Sequence, residues 1–533
     1  MNNIFYDKYI KYKSKYNNLK QFFVYNEYNT YEKRKNKYNE LINNKINFSN
    51  KIYIIGFGAI GNALLWLILK LFNIKPENIT IIEKNNKANI NTDRFPKVKF
   101  LFDTNFTKNN YKILLKDVQK NDIIIDCAYN IETSDILLFC NEKGASHINS
   151  CIQKWLEEDD DDDNDNDNDI NNKNNKNKHS LYAYHKQLEN INASIQNKNF
   201  NLIVSMGCNP GNVSLWVRKG IIEIAKKVLT KNINDNIPKL NKLAQNLKIQ
   251  TIHISEKDTQ RSSIPKNINE YCNTWSKTKM SYYGEILSYV ELSWGTHEDE
   301  INKVYADFEI SQYEDNFAIL NKMGLYTYAQ SWLPFHNKFI GNIICHDETY
   351  TIGNILTVKE NNKIIYKPSV YYVYKSSDEA TNSLFELKER NEIYQDNHRL
   401  LTDDIISGRD LLGLTYFLEN GKVYWIGSTL DIKETRELLD NEINDIINST
   451  ILQVIIGYIT GIIYINDLNN RNDKKGLIVP DEIPLEYMKF QLPFLGDFIF
   501  VDKDFYMLSI LHNHIDINIF FTKEWKFNNF LIS

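Results

Sequence analysis

The chain has 533 residues, 42% of them hydrophobic and 13% aromatic, enough to bury more than one core. Its 63 Lys and Arg against 68 Asp and Glu leave a formal net charge of −5, so there is no broad basic field for a nucleic acid, and a cationic ligand is easier to accommodate. The six cysteines, Cys127, Cys140, Cys151, Cys208, Cys272 and Cys345, form no CxxC pair and read as reduced thiols of an intracellular protein. His512 and His514 make an HxH pair with no third ligand close in sequence, so no metal is expected.

Residues 1–49 form a basic, Tyr- and Asn-rich extension without an apolar run of signal-peptide length, expected to lie outside the catalytic fold. The most apolar stretches, 52–72 and 451–465, fit a strand plus helix or are too short to span a bilayer, which predicts a soluble cytoplasmic protein with no membrane partner. From 51 to about 155, strands alternate with helices: IYIIG, a helix to Leu71, ITIIE, VKFLF, a helical stretch from Tyr111 to Asp117, DIIIDC, the helix SDILLFCNEKG, then SHINS. That spacing predicts an α/β fold, a Rossmann-type doubly wound parallel sheet over 50–205. Within it, the acid and asparagine run at 157–178 has almost nothing to bury and reads as a solvated insertion. Residues 206–435 turn aromatic and mixed α+β, with short strands QTIHIS, KPSVYYVY and KVYWIGS, and read as a second, substrate-bearing domain. A late helix is expected over 437–466, with an apolar face through Leu439, Ile443, Ile446, Ile447, Ile451 and Val454, in a segment 436–533 that packs back on the first domain.

Gly56, Gly58 and Gly61 fit GxGxxG directly after a strand and directly before a helix, the context that gives the pattern meaning. The glycines permit a tight turn, close approach of pyrophosphate and close helix packing, while Ala59 and Ile60 open a helix whose N-terminus favours anions. Glu83 ends the next strand where a carboxylate accepts the adenosine ribose hydroxyls, favouring NAD over NADP, with Lys84 beside it leaving some tolerance for NADP.

The words GCNPGNVSLWV, HISEKDTQ, NTWS, ELSWGTHE, SGRDLLG and VYWIGSTLDIKETR, with GFGAIG before them and LQV and GLIVPDEIP after, together resemble the bacterial homospermidine synthases over roughly 50–500. Saccharopine dehydrogenases and carboxynorspermidine synthases are more distant relatives. The resemblance implies an NAD-dependent aminobutyl transferase that joins two putrescines with loss of ammonia and internal return of the hydride, and that can also take its aminobutyl group from spermidine. It also implies a homodimer formed through the second domain. Trp275 matches a tryptophan that steadies the substrate cation, and Glu256 and Glu285 match acids that guide the amine. Asn209, His346 and Asp410 match further catalytic positions; His297 is also shared and reads as structural. Two family acids along the substrate path are replaced here by Asn130 and Gln153, which keeps hydrogen bonding and removes charge.

The residues themselves suit that chemistry: a diammonium substrate needs carboxylates, an aromatic face and a site that protects an imine from water. Two other readings stay open. One is a net oxidoreductase of the saccharopine type, which needs a cation for a substrate carboxylate, with Arg409 and Arg436 available. The other is a cofactor-holding protein that has lost catalysis, motivated by Asn130 and Gln153.

Overall fold

The computed structural model describes residues 28–86, 92–155, 180–229, 239–276, 279–300, 310–313, 315–334, 338–501 and 525–532. The first part of the extension, the acidic insertion and the His512–His514 pair lie outside these residues.

Isoleucine-rich segments build the first sheet. Its strands β1 (Ile52–Ile55), β2 (Ile79–Ile82), β3 (Lys99–Leu101), β4 (Ile123–Asp126), β5 (Ser146–Ile148) and β6 (Asn201–Ile203) are joined by a seventh, Gly476–Ile478. The order runs Gly476–Ile478, β6, β5, β4, β1, β2, β3, all parallel. Strands β1, β2 and β4 are buried at every residue, as both faces are covered by helices. The stretch expected to be helical from Tyr111 to Asp117 forms helix only over Tyr111–Leu114.

Within the extension, α1 (Tyr31–Asn43) is part of the fold rather than outside it. Its Arg34 is buried and pairs with Glu434 at 2.5 Å and Asp497 at 3.1 Å, Tyr38 meets Phe494 edge-on, and Ile46–Asn47 pair with Phe72–Asn73. After the glycine turn comes α2 (Ala59–Leu71); α3 (Thr133–Lys143) and α4 (Leu181–Ser194) follow, and α5 (Asn212–Val228) leads into the second sheet.

That sheet is mixed. In chain order it comprises β7 (Ile249–Asp258), β8 (Tyr289–Ser293), β9 (Ile310–Tyr313), β10 (Phe317–Met323), β11 (Tyr328–Ser331), β12 (Phe339–Ile344), β13 (Ser369–Lys375), β14 (Arg409–Leu418), β15 (Val423–Asp431), β16 (Asp497–Val501) and β17 (Leu531–Ile532). Its main path is β9-β10-β8-β13-β7-β14-β15-β16, with β12 bridging β13 to β11 and β17. The long β7 lies parallel to β13 and antiparallel to β14, which fixes the relative heights of their side chains.

The expected helix over 437–466 is broken. A short helix ends at Leu438, Asp440 and Asn441 take left-handed φ of 57° and 58°, and a new helix α6 (Ser449–Asn470) starts where the Asn448 side chain accepts the Ile451 N–H at 2.8 Å. Asx residues tolerate that backbone region and prefer to cap, so they interrupt an apolar pattern that periodicity alone would continue. At 22 residues α6 is long and apolar enough to cross a bilayer, but 89% of its apolar window is buried inside the protein, where it packs against α2. The C-terminal segment is therefore not helical alone: it gives one strand to the first sheet and two to the second.

Candidate functional site

The first sheet delivers its candidate residues from loops at the carboxyl ends of its strands, where doubly wound sheets place their ligands. After β1, Gly56 has φ of 87°, and a side chain at Gly61 would collide with the Gly56 carbonyl, so these two glycines let α2 close onto the turn. At Gly58 nothing lies within 4 Å of where a Cβ would stand, and this N-cap residue makes no side-chain capping bond. The first N–H groups of α2, from Ala59, Ile60 and Gly61, thus lack intrahelical acceptors beside open space. Glu83 is buried just past β2, accepting the Phe57 N–H at 2.6 Å and the Asn85 backbone and side-chain N–H groups at 2.8 and 2.6 Å. A carboxylate has about four acceptor positions, so one remains for a ribose hydroxyl. These features fit a dinucleotide.

Asn130 follows β4 at φ of 64°, next to the exposed Tyr129. Gln153, past β5, braces this same loop: its Oε1 accepts the Ile131 N–H at 3.2 Å, and its Nε2 donates to the Ala128 carbonyl at 3.4 Å and to Cys151 Sγ at 2.9 Å. An amide suits that position because it supplies both a donor and an acceptor.

Asn209 sits in the GCNPG loop past β6. This loop lies tight against α6: a side chain at Gly457 would strike the Gly207 carbonyl. From there Asn209 Nδ2 donates to Glu256 Oε2 across the gap between the sheets at 2.6 Å. The Tyr372 hydroxyl donates to the same oxygen at 2.6 Å. Along β7, Glu256 and Asp258 share a face by the two-residue repeat, and on β14 Asp410 pairs in register with Asp258. Three carboxylates are therefore buried together. Burial pushes Glu256 up to about 7, against donors Tyr372 and Asn209, and Asp258 up to about 6, against the Gln260 N–H. For Asp410, burial and then the charges of Glu256 and Asp258 push its carboxyl well above the usual range, while Thr450 donates to its Oδ2 at 2.7 Å.

A positive charge stands at the side of this cluster. His346 lies 3.3 Å from Glu348 and 3.4 Å from Glu285, with its ring 4.7 Å from that of Tyr372. Burial opposes its charge, yet Glu348 and Glu285 hold the imidazole well above its ordinary value. Glu285 is carried by the helix Lys279–Ile286, which touches the Tyr129 loop: a Cβ at Gly284 would sit 3.0 Å from the Tyr129 hydroxyl. Glu285 therefore joins the His346 side of the cluster to the Asn130 loop. Trp275 is half-buried against the main core. The residue before it offers its carbonyl to Asn448 Nδ2, so this segment is anchored at the start of α6.

The structure thus groups Asn209, Glu256, His346, Glu285 and Asp410, packs Trp275 against the main core, and places Asn130 on a loop that Gln153 braces. His297 engages the Trp525 carbonyl at 3.0 Å and Thr251 at 3.3 Å instead. Arg409 pairs with Asp431 at 3.4 Å, and Arg436 donates to the Thr402 carbonyl at 2.8 Å, so each has an acceptor away from the cluster. Sequence reasoning missed Asp258, Glu348, Tyr372, Gln260 and Thr450. Asp258 was within reach, since strand alternation in HISEKDTQ puts it on the face of Glu256; Tyr372 and Thr450 come from elements paired only in three dimensions.

Residues 52–203 match the family of the saccharopine dehydrogenase NADP binding domain. The chain is 26% identical over 490 residues to the homospermidine synthase of Blastochloris viridis, covering 90% of this chain and 97% of that one. It is 26% identical over 504 residues to the homospermidine synthase of Mesorhizobium japonicum, covering 90% and 96%. The crystal structure of the homospermidine synthase of Legionella pneumophila in complex with NAD is similar with a TM-score of 0.77 and 29% identity, covering 92% of this chain and 99% of that one. These similarities extend over about nine-tenths of the chain, including both sheets and the glycine turn, so the chain is similar throughout to homospermidine synthases.

Proposed function

We propose that the protein is a homospermidine synthase, joining two putrescines into homospermidine with loss of ammonia, or transferring the aminobutyl group of spermidine to putrescine with loss of 1,3-diaminopropane. The observation that carries this reading is the buried set Glu256, Asp258 and Asp410 beside a turn that fits a dinucleotide. Three carboxylates out of water outnumber the one imidazole beside them, so an entering cation adds compensating charge, and a polyamine brings it as ammonium groups. The Gly56–Gly61 turn and Glu83 would hold NAD, which when bound would supply reversible hydride chemistry at the amine-bearing carbon.

The chain's own residues handle protons and position. Glu256, poised at about 7, takes a proton from the substrate ammonium and returns one to the leaving ammonia, as a general base and acid should near neutral pH. Asn209 and Tyr372 hold its Oε2 in place. Trp275 offers its face to the cationic intermediates, worth about 2 kcal/mol once desolvated. Asp410 stabilises the ammonium and exchanges protons with it, and Glu285 with His346 guides the amine from the loop of Asn130 and Gln153. The positions of Arg409 and Arg436 favour this reading over an oxidoreductase that must bind a substrate carboxylate.

A homodimer in the cytoplasm completes the proposal. The family resemblance supports the dimer, and the six free cysteines suit a reducing compartment. The test is to supply NAD and putrescine and to quantify products. Homospermidine and ammonia should form in equal amounts without NADH accumulating; stoichiometric NADH would favour a net oxidoreductase.

A further inference from the structure

The start of α6 makes more contacts with the site than a packing helix requires. Gln260, buried two residues past Asp258, has its amide orientation fixed by the backbone: the Ser449 N–H donates to its Oε1 at 2.9 Å, so Nε2 must face the other way. That Nε2 donates to Asp258 Oδ1 at 3.2 Å and to Thr450 Oγ1 at 3.0 Å. With its oxygen already accepting, the Thr450 hydroxyl spends its one proton on Asp410 Oδ2, 2.7 Å away. The other Asp410 oxygen, Oδ1, is buried and accepts from no N–H or hydroxyl group among the described residues, and the Glu256 carboxyl lies within hydrogen-bonding reach of the Asp410 carboxyl.

We infer that Gln260 and Thr450 are positioning residues for the reaction: by fixing the direction of the Thr450 hydroxyl they leave Asp410 Oδ1 as the oxygen that exchanges a proton with the substrate ammonium alongside Glu256, the general base. This rests on the aminobutyl-transfer reading above. The charged and titratable groups facing Asp410 are Glu256 and Asp258 on β7 and Cys208 in the GCNPG loop; Glu379 faces Asp258, and His346 faces Glu256. From α6 come Thr450 and Gln453, the latter donating to the Asp410 backbone carbonyl at 3.3 Å, and across the strand pair stands the apolar Leu430. Thr450 is thus the hydroxyl donor to the carboxylate, and Gln260 is the group that aims it.

The test compares the full chain with Thr450→Val, Thr450→Ser, Gln260→Met and the Thr450→Val/Gln260→Met double variant, assayed with NAD and putrescine across pH. Thr450→Val should lower kcat about tenfold and move the acid limb of the profile up by about one pH unit, as expected for a lost hydrogen bond to a charged group. Thr450→Ser, which restores a hydroxyl, should return the limb to its wild-type position. Gln260→Met should shift the limb in the same direction, and the double variant should shift it no further than Thr450→Val, because both act through one hydroxyl. An unmoved limb in Thr450→Val, no rescue by serine, or additive shifts would overturn the assignment. A second readout needs no turnover. A buried carboxyl raised above its unfolded value costs stability as pH rises out of the ordinary aspartate range. Tm should therefore go on falling to a higher pH in Thr450→Val than in wild type or Thr450→Ser, and identical pH profiles of Tm would refute the relay. If wild type makes no homospermidine while the Tm profiles behave as expected, the reading of the reaction fails and the relay stands.

Discussion

Replacing Tyr372 by Phe removes one oxygen atom from the site and keeps the ring that lies against His346. The lost group is the donor to Glu256 Oε2 at 2.6 Å, leaving Asn209 as the remaining side-chain donor to that oxygen. A hydrogen bond to a charged group contributes about 1.5–3 kcal/mol. At about 1.4 kcal/mol for each pH unit, the ionisation of Glu256 should rise from about 7 by roughly one to two pH units. The sign follows from which form the hydroxyl favours: it stabilises the carboxylate, so its loss favours the neutral acid. The base needed to deprotonate the substrate ammonium is then scarce at neutral pH. The acid limb of kcat/KM for putrescine should move up by that amount, with activity recovering at high pH. Homospermidine formation measured from about pH 6 to 10 against wild type reads this directly, and Tm recorded alongside separates it from misfolding. A profile superimposable on wild type would refute the assignment of Glu256 as the titrating base.

Gly58→Val should weaken NAD binding at least tenfold while leaving Tm near wild type, since the new side chain meets no protein atom, fills the space left for pyrophosphate, and sits at an ordinary φ of −73°; titration calorimetry reads both the affinity and its loss. Trp275→Ala should cost about 2 kcal/mol of transition-state binding, a factor of roughly thirty in kcat/KM, and Trp275→Phe clearly less; equal losses would reduce Trp275 to packing. Asn130→Asp should lower KM for putrescine, most at low ionic strength where attraction is least screened. Gln153→Glu, by contrast, should lower Tm slightly rather than KM, because a carboxylate cannot donate to the half-buried Ala128 carbonyl, a loss of about 1 kcal/mol at most.

That contrast between Asn130 and Gln153 shows where sequence reading stops. In the sequence both look alike as amides where the resemblance implies acids, yet only the folded loop reveals that Gln153 spends both ends of its amide on backbone and thiol. The parallel sheet was legible because its isoleucine strands alternate with helices at regular spacing, and the glycine turn because its pattern is contiguous. The acid cluster was half legible: HISEKDTQ carries two of its members on one strand face, but Asp410 joins them only through the β7–β14 register. Gln260 and Thr450 lie 190 residues apart and carry no motif of their own. The helix break at Asp440 to Asn448 was missed because apolar periodicity continues through it, while left-handed Asx residues and a capping Asn end the hydrogen bonding. The burial of α1 rests on Arg34 finding Glu434 and Asp497, partners that local composition does not announce.

The central claim is that the hydride taken from the amine-bearing carbon comes back to it within one turnover. Putrescine deuterated at both amine-bearing carbons, incubated with the protein, NAD and an excess of unlabelled NADH, tests this through the mass of the product. The account predicts homospermidine that retains every deuterium. Product lacking one deuterium per molecule, with label appearing in the NADH pool, would contradict internal return, and deuterated NADH without homospermidine would contradict the transferase reading altogether.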